Sequence, residues 1–133
     1  MLFEVKSIAL AVPIDAAFNY LKDMTNLPEW THAFAEVDED GAAIMRTPDG
    51  EVTVQLEDRV DRESGVIDTK MLFPDGGTGT AYSRLIALDD DSCVYSFVLT
   101  PPPVALEELE GALSAQAVIL EHELQTLKTK LEG

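Results

Sequence analysis

The sequence predicts an α+β fold in which a curved antiparallel sheet of about seven strands wraps around a long C-terminal helix, with two short helices after the first strand. Three observations carry that prediction. Leu2 to Val12 alternates like a strand and is followed at once by two short helical runs. Residues 34–99 then read as strands punctuated by turns rich in Gly, Pro and Asp. Last, an apolar stripe stepping by three or four residues runs from Leu106 to Leu131.

The first strand places Phe3, Val5, Ser7, Ala9 and Ala11 on one face and Ile8, Leu10 and Val12 on the other, and Pro13 ends it. From Ile14 the period changes, because Ile14, Ala17, Phe18 and Leu21 fall on one side of a short helix. Asn26 and Glu29 have the spacing of a capping box, with Pro28 in the first turn, so a second short helix restarts there and ends at Trp30. The result is a bent flap whose tryptophan can fold back on Phe18 and Leu21. Trp30 reads either as a plug against the sheet or as a platform for a flat ligand, and the plug is the commoner use of such a residue.

The meander follows as Phe34 to Val37, the turn DEDG, Ala42 to Thr47, the turn at Pro48 to Gly50, and then EVTVQLEDRVD. In that last strand Val52, Val54, Leu56 and Val60 alternate with polar residues, as expected of a strand wetted on one side. Val66 to Phe73, Thr80 to Leu88 and Cys93 to Leu99 complete the sheet. The run TPPPV from Thr100 to Val104 turns the chain into the final helix. There Leu106, Leu109, Leu113, Ala117, Leu120, Leu124, Leu127 and Leu131 form the stripe, Glu107, Glu108 and Glu110 open the helix, and Lys128 and Lys130 close it, all complementing its dipole. About 27 residues of helix span ~40 Å, enough to cross a sheet. The same spacing is close to a coiled-coil heptad, so an oligomer built on this helix, such as a homodimer, stays open.

Composition sets bounds. The 133 residues suit one domain, residues 1–133, which at this size hides about 68–70% of its unfolded surface. With 25 acidic against 9 basic residues the formal charge is −16, which disfavours nucleic acid and anionic lipid as partners. No apolar run reaches the ~20 residues of a membrane helix, and Glu4 and Lys6 interrupt the first apolar run, so a cytoplasmic protein without an export signal or stable membrane insertion is expected. The single cysteine, Cys93, cannot close an intrachain disulfide, and two distant histidines argue against a metal site. No cofactor is expected: DGGTGT at Asp75 to Thr80 joins strand to strand rather than opening a helix, so it lacks the geometry of a phosphate cradle.

The spacing P-x-x-x-x-F-x-x-L-x-D-x-x-N-x-P-x-W, carried by Pro13, Phe18, Leu21, Asp23, Asn26, Pro28 and Trp30, resembles the signature of the SRPBCC or START-like superfamily, whose architecture is the helix-grip fold. The segments TPDGEV at Thr47 to Val52 and GVID at Gly65 to Asp68 are similar to small bacterial members described as polyketide-cyclase-like. The resemblance covers the whole chain. It implies an apolar cavity between sheet and helix and a small hydrophobic ligand, lipid- or polyketide-like, as the partner. It carries no catalytic set across, and where some relatives place histidine after the Asp of GVID this chain has Thr69.

Within such a cavity, Trp30 and Phe34 would form the flap side and Val54 and Leu56 the floor. Thr69 and Met71 continue that floor on the next strand. Tyr82, Tyr95 and Phe97 supply aromatic walls, and Leu113, Ala117 and Leu120 line the helix side. Asp58 shares the register of Leu56 and points inward, where a carboxylate needs a partner. Arg84, in the register of Tyr82 and Ile86, is the strand cation proposed for it; the alternative is that Asp58 sits at a flaring strand end and meets water. His32, just past the flap, is either a base at the cavity mouth or an exposed loop residue, and His122 lies off the leucine stripe. His32, Asp58 and Arg84 are therefore the candidates for proton chemistry. Three readings follow: a binder of a small hydrophobic molecule, a polyketide cyclase or dehydratase of lyase or isomerase type, and an interaction module of the chaperone-activator kind.

Overall fold

A computed structural model describes residues 3–47, 50–99 and 106–133, with the backbone alone for residue 47 and residues 106–114. The elements are β1 (Glu4–Leu10), α1 (Ile14–Leu21), a 3₁₀ turn (Met24–Asn26), α2 (Leu27–Trp30), β2 (Phe34–Val37), β3 (Ala42–Thr47), β4 (Gly50–Asp61), β5 (Val66–Leu72), β6 (Thr78–Asp89), β7 (Ser92–Leu99) and α3 (Leu106–Glu132). The seven strands form one antiparallel sheet in the order β1-β7-β6-β5-β4-β3-β2. This is the α+β helix-grip arrangement expected above. Pro48 and Asp49 of the turn before β4, the proline corner at Thr100 to Val104, and the side chains of Glu107, Glu108, Glu110, Leu106, Leu109 and Leu113 lie outside the described residues.

Register assigns the faces. Ile8 pairs with Tyr95, Tyr95 with Leu85, Leu56 with Met71 and Val54 with Ala43, so these residues share the concave face. Bulges between Phe34 and Glu36 and between Ala87 and Asp89 add to the twist that curls the sheet. Gly65 permits a close approach: its φ is +75°, its carbonyl accepts from the Leu85 amide at 2.8 Å, and a Cβ there would lie 2.0 Å from the Leu85 carbonyl oxygen.

α3 lies along β1, reaches β7 and touches α2. Its Leu120, Leu124 and Leu127 join Leu10, Cys93, Tyr95, Leu85 and Ile67 in one buried cluster with Ala17, Phe18, Leu21 and Trp30. Among the described side chains, the stripe from Leu120 to Leu127 is thus buried within the chain. Lys128 donates to the Ala9 carbonyl at 2.9 Å and pairs with Glu132, which accepts from the Ala11 amide, fastening the end of the helix to the end of β1.

The flap is held differently from the expected capping box. Asn26 makes no side-chain cap to α2; its Nδ2 donates to the Tyr20 carbonyl at 2.9 Å. Glu29 accepts from the Tyr20 hydroxyl at 2.9 Å and lies 3.5 Å from the Lys130 ammonium, tying α1, α2 and α3 together. The cap that does form belongs to Asp23, which accepts from the Thr25 amide at 3.0 Å and starts the 3₁₀ turn. Trp30 is 6% exposed and meets Tyr95 edge-on at 6.2 Å between ring centres, a plug in the core. Trp30→Ala is expected to cost about 3–5 kcal/mol of stability in denaturant unfolding, as large aromatic truncations do. Near-normal stability would instead show that the ring is held by the flap alone.

Candidate functional site

The sheet's concave side has two regions of different packing. Beneath α3, Leu10, Cys93 and Leu127 are 0% exposed, and that region is closed. Toward β3, β4 and β5 a second cluster is built on Phe34, Ala43, Val54 and Leu56, and around it Met24, Met45, Val52, Met71 and Phe73 are only partly buried. Leu27 packs against both clusters, and Phe97, edge-on to Tyr95 at 6.4 Å, packs against the first.

The concave face of β4 and β5 also carries a polar pair. Asp58 of β4 pairs in register with Thr69 of β5, and the Thr69 hydroxyl donates to Asp58 Oδ1 at 2.9 Å. Both are half-buried. Burial raises the Asp58 pKa above its ordinary 3.8; the Thr69 bond opposes this and the nearby Asp23 carboxylate reinforces it. A carboxyl pushed toward its neutral form, set among apolar side chains, can donate a hydrogen bond or a proton to a carbonyl or hydroxyl group. Deeper in, the Ser83 hydroxyl donates to the Ile67 carbonyl at 2.5 Å and is hydrogen-bonded with Tyr95, whose own hydroxyl is held far above its usual pKa by burial.

The sequence-predicted residues divide between these places. Phe34, Val54, Leu56, Asp58, Thr69 and Met71 gather in and around the second cluster. Trp30, Tyr95 and Leu120 belong to the closed core at 6%, 2% and 3% exposure, with Ala117 half-buried one helical turn before Leu120. Leu113 has no described side chain. Tyr82 and Arg84 are not in the hollow. Ala81 pairs with Thr69 and Leu85 with Tyr95, so the even-numbered residues of β6 point to the convex side, where Tyr82 is 47% exposed and Arg84 Nε donates to the Ser64 carbonyl at 2.9 Å. The expected Asp58–Arg84 pair therefore does not form, and a threonine hydroxyl takes the place assigned to the guanidinium.

His32 is exposed and lies outside the hollow. With Trp30, Ile119, His122 and Glu123 it lines an open groove of about 400 Å³ between α2 and α3. Its amide donates to Glu123 Oε2 at 2.5 Å, and burial raises the Glu123 pKa. Among the described residues no three His, Cys, Asp or Glu side chains come together as a metal site.

Three residues escaped the sequence reading of the site. Lys6 pairs with Phe97 and Glu4 with Leu99, so both face the concave side and form an ion pair at 3.7 Å. The period-two alternation from Ile8 and Leu10 carries that signal. Asp23, the third group in the electrostatics of Asp58, stood in the signature but gave no sign of its neighbour.

No protein-family model matches the sequence, and no curated protein matches it. Solved structures do. A START superfamily protein from Mycobacterium smegmatis superposes with a TM-score of 0.69 at 14% identity, over 98% of this chain and 97% of that one. The Zhui aromatase/cyclase from Streptomyces sp. R1128 gives 0.68 at 14% identity, over 98% and 93%. BexL, a di-domain ARO/CYC from the BE-7585A biosynthetic pathway, gives 0.78 at 13% identity, over 99% of this chain and 47% of that one. The chain has the fold that these three structures share.

The raised pKa of Asp58 has a consequence for stability. The folded protein holds a proton on Asp58 over a window beginning near 3.8 in which the unfolded chain has already lost it, so this contribution is present at low pH and is lost as pH rises through the folded-state value. Asp58→Asn keeps an acceptor for Thr69 and removes the titration. Its melting temperature relative to wild type is expected to rise as pH increases from 4 toward 7, and a constant difference across that range, followed by calorimetry, would exclude this assignment.

Proposed function

We propose that the protein binds a small, mainly apolar molecule of lipid- or polyketide-like character in the hollow bordered by β3, β4 and β5. One observation carries the reading: the hydroxyl-bonded carboxyl of Asp58 shares the concave face with Leu56 and Met71, the next inward residues on β4 and β5, where the packing leaves Met71 and, further along, Phe73 only partly covered. That is the make-up of a site in which apolar walls supply affinity and a few polar groups supply orientation. Charge narrows the ligand further. Among the described strand residues Lys6 is the one cation on the concave face, and Glu4 already pairs with it, so a neutral carbonyl or hydroxyl group on the ligand suits Asp58 better than a carboxylate does.

The experiment uses Nile red as a neutral apolar probe together with native mass spectrometry of the protein as isolated. Uptake is expected, and Met71→Lys is expected to weaken it at least tenfold, about 1.4 kcal/mol, while leaving the circular dichroism unchanged. Absence of both dye binding and co-purified ligand would overturn the proposal in favour of an interaction module. A second reading, ring closure or dehydration of a polyketide-like substrate, is favoured by the raised pKa of Asp58, which fits a general acid facing a carbonyl oxygen. If it holds, Asp58→Asn loses turnover by roughly a hundredfold or more with probe binding retained. Equal turnover in the two proteins would remove Asp58 from the chemistry.

A further inference from the structure

The convex side of β1, β7 and β6 is unlike the rest of this acidic chain. Register lays out three rows across it: Val5–Val98–Tyr82, Ser7–Ser96–Arg84 and Ala9–Val94–Ile86. Phe3, Val5, Tyr82, Ile86 and Leu88 are between 46% and 64% exposed there. No carboxylate stands in these rows although the chain has 25 acidic residues, and acidic side chains return on that face with Asp68 of β5. Exposed apolar side chains grouped in this way mark an interaction surface.

The patch runs up to a sheet edge, because β1 is the terminal strand. α3 closes one end of that edge: the Ala9 carbonyl accepts from Lys128 and the Ala11 amide donates to Glu132. Backbone groups of alternate residues point the same way, so Val5 and Ser7 share the outward direction of Ala9. Among the described residues nothing beyond the sheet bonds their backbone.

We propose that β1 pairs antiparallel with β1 of a second copy of this chain about a two-fold axis at Val5, joining the two sheets edge to edge. The occupant is identified by self-complementarity. In that register Val5 exchanges backbone bonds with Val5 of the second copy, and Glu4 stands opposite Lys6 twice over, so the ion pair now made within one strand at 3.7 Å becomes a reciprocal four-charge cluster. On the convex side the apolar row Tyr82–Val98–Val5 continues without a break into the same row of the second copy. Phe3, opposite Ser7, comes to lie over the shallow strip made by Ser7 and Ser96, whose hydroxyls bond each other at 3.0 Å. The carboxylate-free face is what lets two chains of charge −16 approach here.

Sedimentation velocity across a concentration series tests this. A monomer–dimer equilibrium is expected, with the dimer dominant at about 100 µM, as suits an interface of modest size. Lys6→Glu and Glu4→Lys each place like charges opposite one another and are each expected to weaken association at least tenfold. Mixing the two variants restores opposite charges and is expected to bring the dimer back, which also shows that both variants are folded. A wild type that stays monomeric throughout, a dimer indifferent to both substitutions, or a mixture that fails to recover association would each overturn the proposal; the second outcome would place the contact on another face.

Discussion

Leu120, Leu124 and Leu127 lying with Leu10, Cys93 and Tyr95 is the packing on which the rest of the structure depends. A curled antiparallel sheet has one apolar face that cannot be left to water, and α3 is the element long enough to cover it. Among the described residues the helix does so asymmetrically. It lies along β1 and reaches β7, where exposure falls to zero, and at β3, β4 and β5 methionine and phenylalanine side chains remain half-covered. Where the helix is fastened therefore decides where the hollow is, and Lys128 and Glu132 do the fastening at β1.

Element types and order were legible because each has a strong local signal: period two in the strands, period 3.6 in α1 and α3, and glycine or aspartate at the turns. The inward direction of Asp58 was legible for the same reason. Arg84 was not, and the cause is physical. On β6 the outward Tyr82, Ile86 and Leu88 outnumber the one large inward residue, Leu85, while the other inward residues Gly79, Ala81, Ser83 and Ala87 are small, so the rule that apolar side chains face the core points to the wrong face. Parity on that strand is set instead by the turn from Phe73 to Thr78, where the Gly76 amide donates to the Phe73 carbonyl and the Phe73 amide to the Gly77 carbonyl. The capping box misled in a similar way: the pattern at Asn26 and Glu29 was present, but Tyr20 of α1 and, from far along the chain, Lys130 took both side chains.

The same misreading of β6 points to a property of the molecule. A strand whose inward residues, Leu85 apart, are small gains less from its core than it could, and the small inward residues Gly79 and Ala81 lie beside Met71 and Thr69. Small side chains there leave room in the hollow. Large ones on the reverse enlarge the exposed apolar surface near β1. One strand thus borders both the proposed site and the proposed interface through a single choice of side-chain size on its two faces.

Stability and site are carried by different parts of the sheet, and this separation has a physical basis. The β1–β7 side is closed by α3 and by the Trp30–Tyr95 contact, so its packing is complete without any guest. The β3–β5 side is bounded by short β2, six-residue β3 and the turn at Gly41, whose φ of +87° and close approach to the Leu56 carbonyl exclude a larger residue. That glycine brings the β2–β3 turn down onto β4 through the bond from the Leu56 amide to the Gly41 carbonyl at 2.8 Å. The wall of the hollow is therefore held by backbone hydrogen bonds more than by side-chain packing, which leaves its methionines free to change rotamer around an occupant while the strands beneath them stay in place.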